Sequence, residues 1–239
     1  MLEIKNLVKH FDKVKALEDI NLTVQKGEKI VIIGPSGCGK STLLRCINLL
    51  ETPTSGIIKY RDVETKKYKR DVLCQKIGMI FQNYNLFNHL TIIKNITLAP
   101  IKLKIMTKEE AYKKAMKMLK LMKLEDKAGN YPRELSGGEK QRVAIIRSLI
   151  LSPEIILLDE PTGALDPENI KDVLEILKDI AKDGMTMIVV THEMNFAREF
   201  ADRVEFMDKG MIVEEGTSKA IFDHPKNERL KEFLNKIKS

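Results

Sequence analysis

The sequence predicts an α/β fold with a mixed, mainly parallel sheet, an antiparallel β portion at the amino end and a helical insertion. The continuous apolar run within 29–33 is typical of a strand buried on both faces, as in a parallel sheet. Runs 155–158 and 187–190 have the same character. Leu2 and Ile4 alternate with polar residues, which indicates a half-buried antiparallel strand.

Composition indicates a globular protein and argues against membrane-spanning and disulfide-rich classes. The chain has 239 residues, of which 43% are hydrophobic and 31% charged, so it is globular and long enough for a real core. Its longest apolar runs are about strand length, whereas a membrane-spanning helix needs roughly 20 apolar residues. The amino end lacks a basic-then-apolar leader, and the three cysteines form no CxxC pair. We therefore expect a soluble intracellular protein with reduced thiols.

Basic residues exceed acidic ones, 41 to 34, giving a formal charge of +7. This balance is compatible with nucleic acid, an acidic membrane face or a merely lysine-rich surface. Because the charge is spread along the chain, the last interpretation is favoured. Only 66–70 is locally dense, and we expect it to be a solvated loop between strands.

Helical patterns lie between the predicted strands. The clearest spans 107–127, where Thr107 and Glu110 have the spacing of a capping box. Its apolar residues recur every three or four positions and are expected in the core. They are Ala111, Ala115, Met118 and Met122. Further helices are predicted at 43–47, after Ser136, over 167–181 and over 227–238.

Residues 34–42 match the phosphate-loop pattern G-x-x-x-x-G-K-[ST], directly after a buried strand and before a helix. Backbone N–H groups of such a loop surround phosphate oxygens, and the helix adds its positive end. Lys40 is expected to reach the β and γ phosphates of ATP, and Ser41 to ligate Mg²⁺. The sequence therefore predicts a P-loop NTPase core. The loop residues are Gly34, Pro35, Ser36, Gly37, Cys38, Gly39, Lys40, Ser41 and Thr42.

Cys38 lies inside this loop and has two interpretations. A helix N-terminus lowers the pKa of a thiol, which would make Cys38 reactive. Alternatively, it is an inert small side chain that fills space.

Asp159 and Glu160 follow the buried run 155–158, where ligands of parallel sheets collect. Asp159 is expected to hold Mg²⁺, and Glu160 to polarise the attacking water as general base. Ser136 and Glu139 have capping-box spacing, while Gly137 and Gly138 allow a close approach to the backbone. A γ-phosphate could bind at that helix start, and the two interpretations are compatible.

Together these motifs resemble the ATP-binding cassette subunit of ABC transporters, with LSGGEKQR at 135–142 as the signature, over essentially the whole chain. Glu139 stands where the family usually has glutamine. The resemblance implies that Phe11 stacks on adenine, that Gln82 senses Mg²⁺ and water, and that His192 contacts the γ-phosphate. Asp166 would belong to the loop that crosses to a second protomer.

The resemblance also implies a head-to-tail homodimer that traps two ATP molecules and works with integral membrane permease subunits. A substrate-binding protein would be an indirect partner, and no nucleic acid is expected. The chain would lie peripherally on the cytoplasmic face of the inner membrane, where its +7 charge meets anionic lipid. Docking is expected near 83–98, with Phe87 and Leu90 as candidates, although core packing would explain both equally well.

One domain over 1–239 is expected, with the core and antiparallel β portion in 1–85 and 151–239 and the helical insertion at about 86–150. The stretches 191–199 and 201–204 are similar to the polar amino acid uptake subfamily, whose substrates include glutamine, arginine and histidine. Gly163 is commoner in lipoprotein-release and macrolide-export systems, which remain an alternative. A nucleic-acid-linked cassette would carry a coiled-coil insertion or a second cassette, and a non-hydrolysing regulator would not need Glu160 and His192.

Overall fold

The computed structural model describes residues 1–238, which form two β-sheets flanked by helices. The strands are β1 Leu2–Phe11, β2 Val14–Val24, β3 Lys29–Ile33, β4 Ser55–Tyr60, β5 Val63–Glu64, β6 Ile77–Ile80, β7 Ile155–Asp159, β8 Thr186–Val190, β9 Arg203–Asp208 and β10 Met211–Gly216. The helices are α1 Lys40–Ile47, α2 Arg70–Lys76, α3 Ile92–Lys102, α4 Lys108–Leu121, α5 Gly137–Leu149, α6 Pro167–Lys182, α7 Met194–Phe200, α8 Ser218–Asp223 and α9 Glu228–Lys238.

The larger sheet has the strand order β10-β9-β3-β8-β7-β6. Its strands pair in parallel except at the β9–β10 edge, which is antiparallel. β7 and β8 are buried along their whole length, which explains their unbroken apolar sequences. Parallel pairing of β7 with β8 places their carboxyl ends side by side, so the residues that follow these strands meet at one edge.

The smaller sheet is antiparallel, in the order β2-β1-β4-β5, as the alternation at Leu2 and Ile4 predicted. Its buried face shares one apolar core with one face of the larger sheet and with α1. Ile20, Ile32 and Leu44 are members of that core. The mixed, mainly parallel architecture with an antiparallel amino-terminal portion is therefore confirmed.

Helices α3, α4 and α5 surround a separate apolar cluster that includes Ile96, Leu119 and Ile146. The capping box of Thr107 and Glu110 is present at the start of α4. The predicted end at 127 is wrong, because α4 ends at Leu121 and Lys123 is left-handed with φ of 55°. A 3₁₀ turn over Glu125–Lys127 follows and leads the chain back toward α5.

The basic stretch 66–70 is solvated, as expected, but it is not simply a loop. A 3₁₀ turn covers Thr65–Lys67, and α2 begins at Arg70. Within 1–238, none of the helices is both long and apolar enough to cross a bilayer.

Candidate nucleotide site

The 34–42 loop connects β3 to α1 and closes against the β9–β10 turn and β2. A Cβ added to Gly34 would lie 2.1 Å from the Met207 carbonyl oxygen. At Gly39, φ is 106° and an added Cβ would lie 2.4 Å from the Ala16 carbonyl oxygen. Only glycine fits at either position. Ser36 and Gly37 are exposed at the tip of the loop, where a phosphate group can reach the backbone.

Lys40 is only 4% exposed, and its ammonium group lies inside the loop. Nζ donates hydrogen bonds to the carbonyl oxygens of Gly34, at 2.8 Å, and Pro35, at 2.9 Å. A buried lysine that can exchange two carbonyl acceptors for phosphate oxygens fits the pattern of an ATP-binding loop.

Burial raises the pKa of the Cys38 thiol, and this effect outweighs the opposing charge of Lys40. Of the two interpretations of Cys38, the reactive one depends on a lowered pKa, which this burial opposes. Cys38 is 5% exposed, and its carbonyl oxygen accepts a hydrogen bond from the Gly210 N–H. These contacts favour the interpretation of Cys38 as an inert filler.

Asp159, at the end of β7, faces the first turn of α1. The Ser41 hydroxyl donates a hydrogen bond of 2.6 Å to its Oδ1. Burial raises the pKa of Asp159 above its usual range, while the Ser41 hydrogen bond opposes that rise. A hydroxyl and a carboxylate are hard oxygen ligands of the kind Mg²⁺ prefers, so this donor pair fits the expected cation.

Glu160 directly follows Asp159 but points elsewhere, because its backbone is left-handed with φ of 47°. Its N–H donates to the Val190 carbonyl oxygen at 3.0 Å, which holds it beside the end of β8. His192 follows β8, and its Nε2 lies 3.0 Å from Glu160 Oε1. The structure thus brings the two predicted catalytic side chains together.

Gln82 follows β6 and reaches the same edge of the sheet. A Cβ added to Gly163 would lie 2.8 Å from Gln82 Nε2 and 3.3 Å from Glu160 Oε2. Gln82 Nε2 and Glu160 Oε2 therefore both lie beside Gly163. Phe11, at the end of β1, is 40% exposed and lies under Lys9 Nζ at 4.4 Å from its ring centroid. Phe11 is therefore outside the apolar core, and the Lys9 ammonium lies over one face of its ring.

Ser136 caps α5 as predicted, accepting from the Glu139 N–H at 3.2 Å and donating its own N–H to Glu139 Oε2 at 2.8 Å. Glu139, which stands where the family usually has glutamine, therefore completes the capping box of α5. A Cβ added to Gly138 would lie 2.4 Å from Asn169 Oδ1, so the second glycine is required by packing. In the described chain, no hydrogen bond joins this helix start to the 34–42 loop. Asp166 is exposed and precedes α6.

Two residues near the site have no signal in the sequence. The Tyr84 hydroxyl donates to the Ala164 carbonyl oxygen at 2.8 Å. Arg147 donates to the Tyr84 and Asn85 carbonyl oxygens at 2.9 Å and 2.6 Å. Neither belongs to a motif, and their partners are backbone atoms that no sequence pattern identifies.

A phosphate loop, a serine–aspartate pair and a glutamate–histidine pair at one edge of a parallel sheet define a P-loop nucleotide hydrolase. Comparison with known protein families identifies the class more closely. The family profile described as ABC transporter matches residues 17–163. The chain belongs to the family of ABC transporter ATP-binding proteins and is an ATPase.

Two relatives have nearly the same length as this chain. It is 50% identical to the arginine transport ATP-binding protein ArtM of Bacillus subtilis (strain 168), covering 99% of this chain and 100% of ArtM. It is 52% identical to the glutamine transport ATP-binding protein GlnQ of Geobacillus stearothermophilus, covering 99% of each. The dimeric post-hydrolysis ATP-binding cassette MJ0796 bound to ADP and Pi superposes with a TM-score of 0.81, at 38% identity over 91% of this chain and 99% of that one.

Proposed function

We propose that this ATPase powers an ABC transporter that imports a polar amino acid. The observation that carries the proposal is the match of about half of all positions, along the full length, to relatives named for arginine and glutamine transport. The transporter would hold the chain at the cytoplasmic face of the inner membrane. Its membrane permease subunits and a separate binding protein would select the substrate.

ATP is held by residues that already lie in one place. The loop of 34–42 offers its N–H groups to the phosphates, and Phe11, outside the apolar core, is the residue we assign to adenine. Lys40 exchanges the Gly34 and Pro35 carbonyls for β- and γ-phosphate oxygens. Ser41 and Asp159 hold Mg²⁺, which when bound neutralises charge on the phosphates.

Glu160 acts as the general base for hydrolysis. Its Oε1 faces His192 Nε2 at 3.0 Å, so the imidazole orients the carboxylate and lies ready to contact the γ-phosphate. The Gln82 amide and the Glu160 carboxylate both lie beside Gly163. Three side chains from three successive strands of the sheet thus surround the position of an attacking water.

A second copy of the chain completes the site. Ser136 and Asp166 are exposed at helix starts and point away from their own core, which suits contact with a partner's nucleotide. In this head-to-tail arrangement, Ser136, Gly137 and Gly138 of one protomer close over the ATP of the other. ATP then favours the closed dimer and hydrolysis the open one.

An apolar groove of about 640 Å³ supplies the docking site for the membrane partner. It lies between α2 and α3 and is lined by Met79, Phe87, Leu98 and Leu103, among others. Phe87 belongs to it, as expected, whereas Leu90 does not line it. We assign the groove to the boundary between the helical insertion, at about 86–150, and the remainder of a single domain over 1–239.

Reconstitution tests the proposal. The chain is co-purified with its permease, placed in proteoliposomes, and its ATPase rate measured with individual amino acids and their binding proteins. Stimulation by arginine, glutamine or histidine supports amino acid import. Stimulation by none of them, together with activity on a lipoprotein or macrolide substrate, would favour the export-type alternative that Gly163 raises.

A further inference from the structure

The turn that follows Gln82 has an uncommon backbone. Tyr84 and Asn85 are both left-handed, with φ of 59° and 50°. A left-handed backbone is costly for a bulky L-residue such as tyrosine, and it persists where the surrounding structure holds it. The turn lies between Gln82 at the catalytic edge and Phe87 in the apolar groove.

Arg147 of α5 holds this turn. Its Nη2 donates to the Tyr84 carbonyl oxygen at 2.9 Å and its Nη1 to that of Asn85 at 2.6 Å. The planar guanidinium donates from two different nitrogens, whose spacing is fixed, to two neighbouring carbonyls. Arg147 is half-buried, and burial lowers its pKa.

The Tyr84 side chain extends from this anchor to the other end of α5. Its hydroxyl donates to the Ala164 carbonyl oxygen at 2.8 Å. A Cβ added to Gly137, the first residue of α5, would lie 3.1 Å from the same hydroxyl oxygen. Burial, and after it the charge of Asp166, raise the pKa of Tyr84, so the phenol stays protonated and remains a donor.

The loop that Tyr84 contacts is the one that touches Gln82. Gly163, next to Ala164, lies against Gln82 Nε2 and Glu160 Oε2. Two side chains of the same turn therefore reach adjacent residues of the 163–166 segment. The Gln82 amide lies beside Gly163, and the Tyr84 hydroxyl bonds to the Ala164 carbonyl oxygen. Gly163 in this segment lies beside the general base Glu160, and the Tyr84 hydroxyl that bonds to Ala164 lies beside Gly137 at the start of α5.

We propose that Tyr84 is a positioning residue for ATP hydrolysis. Its hydroxyl, anchored through Arg147, fixes the 163–166 segment relative to α5, so that Glu160 and Gln82 keep their spacing when α5 closes over a partner's nucleotide. In this proposal Tyr84 acts through the Ala164 carbonyl. The proposal rests on the ATPase mechanism described above.

Tyr84→Phe tests this directly, because it removes the hydroxyl and keeps the ring. We expect kcat to fall about three- to tenfold, the loss of one hydrogen bond, while KM and melting temperature stay unchanged. Tyr68→Phe is the matched control, since the Tyr68 hydroxyl donates to the Tyr60 carbonyl at 3.3 Å, away from the catalytic edge. A kcat for Tyr84→Phe equal to that of Tyr68→Phe would overturn the proposal.

Arg147→Lys provides a second arm, because a lysine retains the charge but loses the rigid fork of two donating nitrogens. If Arg147 acts through Tyr84, the double variant should lose no more kcat than the larger single loss. Fully additive losses of kcat would overturn the inference that Arg147 acts through Tyr84. A Glu160→Gln protein that hydrolyses ATP at the wild-type rate would instead contradict the proposed mechanism, so the two failures are distinguishable.

Discussion

His192 Nε2 and Glu160 Oε1 lie 3.0 Å apart, although 32 residues separate them in the chain. Two adjacent parallel strands, β7 and β8, bring them together, and the left-handed backbone of Glu160 turns its side chain toward the histidine. Because Asp159 points to Ser41 instead, two neighbouring carboxylates serve different parts of the site.

Glu160→Gln should still bind ATP but lose hydrolysis by about 100-fold or more, because an amide cannot accept the proton of the attacking water. With Mg²⁺-ATP the variant should accumulate as a dimer on gel filtration. Glu168→Gln, an exposed acid near the start of α6, is the control and should behave as wild type. A fully active Glu160→Gln protein would exclude Glu160 as the base.

Lys40→Ala should weaken ATP binding about 10- to 100-fold, since a charge-assisted hydrogen bond is worth about 1.5–3 kcal/mol. Titration with a fluorescent ATP analogue measures the change. Lys26→Ala removes an exposed lysine and should leave the affinity unchanged. Retained affinity in Lys40→Ala would count against the loop assignment.

Asp159→Asn should raise the Mg²⁺ concentration needed for half-maximal ATPase activity about 10-fold or more. Burial raises the pKa of Asp159, so protons compete with the cation at a higher pH than for an exposed aspartate. In the wild type, apparent Mg²⁺ affinity should therefore fall as pH is lowered toward this raised pKa. Mg²⁺ titrations at several pH values measure this, and a pH-independent affinity would argue against Asp159 as ligand.

Glu205, fully buried on β9, should make stability pH-dependent. Burial raises its pKa to about 8, and Glu215 and Glu28 add to the rise, although Arg203 Nη1 lies 2.8 Å from Oε1. The folded state keeps this proton above the unfolded pKa of 4.5. Stability is therefore full below that pKa and is lost as pH rises toward 8.

Chemical denaturation at several pH values checks this expectation. Glu205→Gln cannot ionise, so its unfolding free energy should lack the decline of the wild type, which reaches about 1 kcal/mol per pH unit within the window. Glu109→Gln, an exposed acid on α4, should retain the wild-type slope. Equal slopes in all three proteins would contradict the role of Glu205.

Phe87→Asp should abolish co-purification with the permease by placing a charge in the apolar groove. Phe87 is 44% exposed, so folding and the ATPase rate of the isolated chain should be retained. Leu121→Asp provides the control, because Leu121 is 75% exposed on α4 and does not line the groove. If the Phe87→Asp protein still co-purifies with the permease, the docking site does not lie in this groove.

Much of the fold was predictable because buried strands and helix caps leave local signals. The apolar runs at β3, β7 and β8 and the capping boxes at Thr107 and Ser136 were identified correctly. The end of α4 was missed, since apolar spacing continues past Leu121 while the backbone reverses at Lys123. The thiol of Cys38 was also uncertain, because burial and a helix N-terminus shift its pKa in opposite directions.

The sequence by itself determined the phosphate loop, the acidic pair and the parallel core, because each depends on residues that are neighbours in the chain. Only the tertiary structure decided that Glu160 faces His192, that Gln82 and Glu160 both lie beside Gly163, and that the Tyr84 hydroxyl bonds to the Ala164 carbonyl. The last contact ends on a backbone carbonyl 80 residues away. Every residue offers such a carbonyl, so side-chain identity cannot encode which one is chosen.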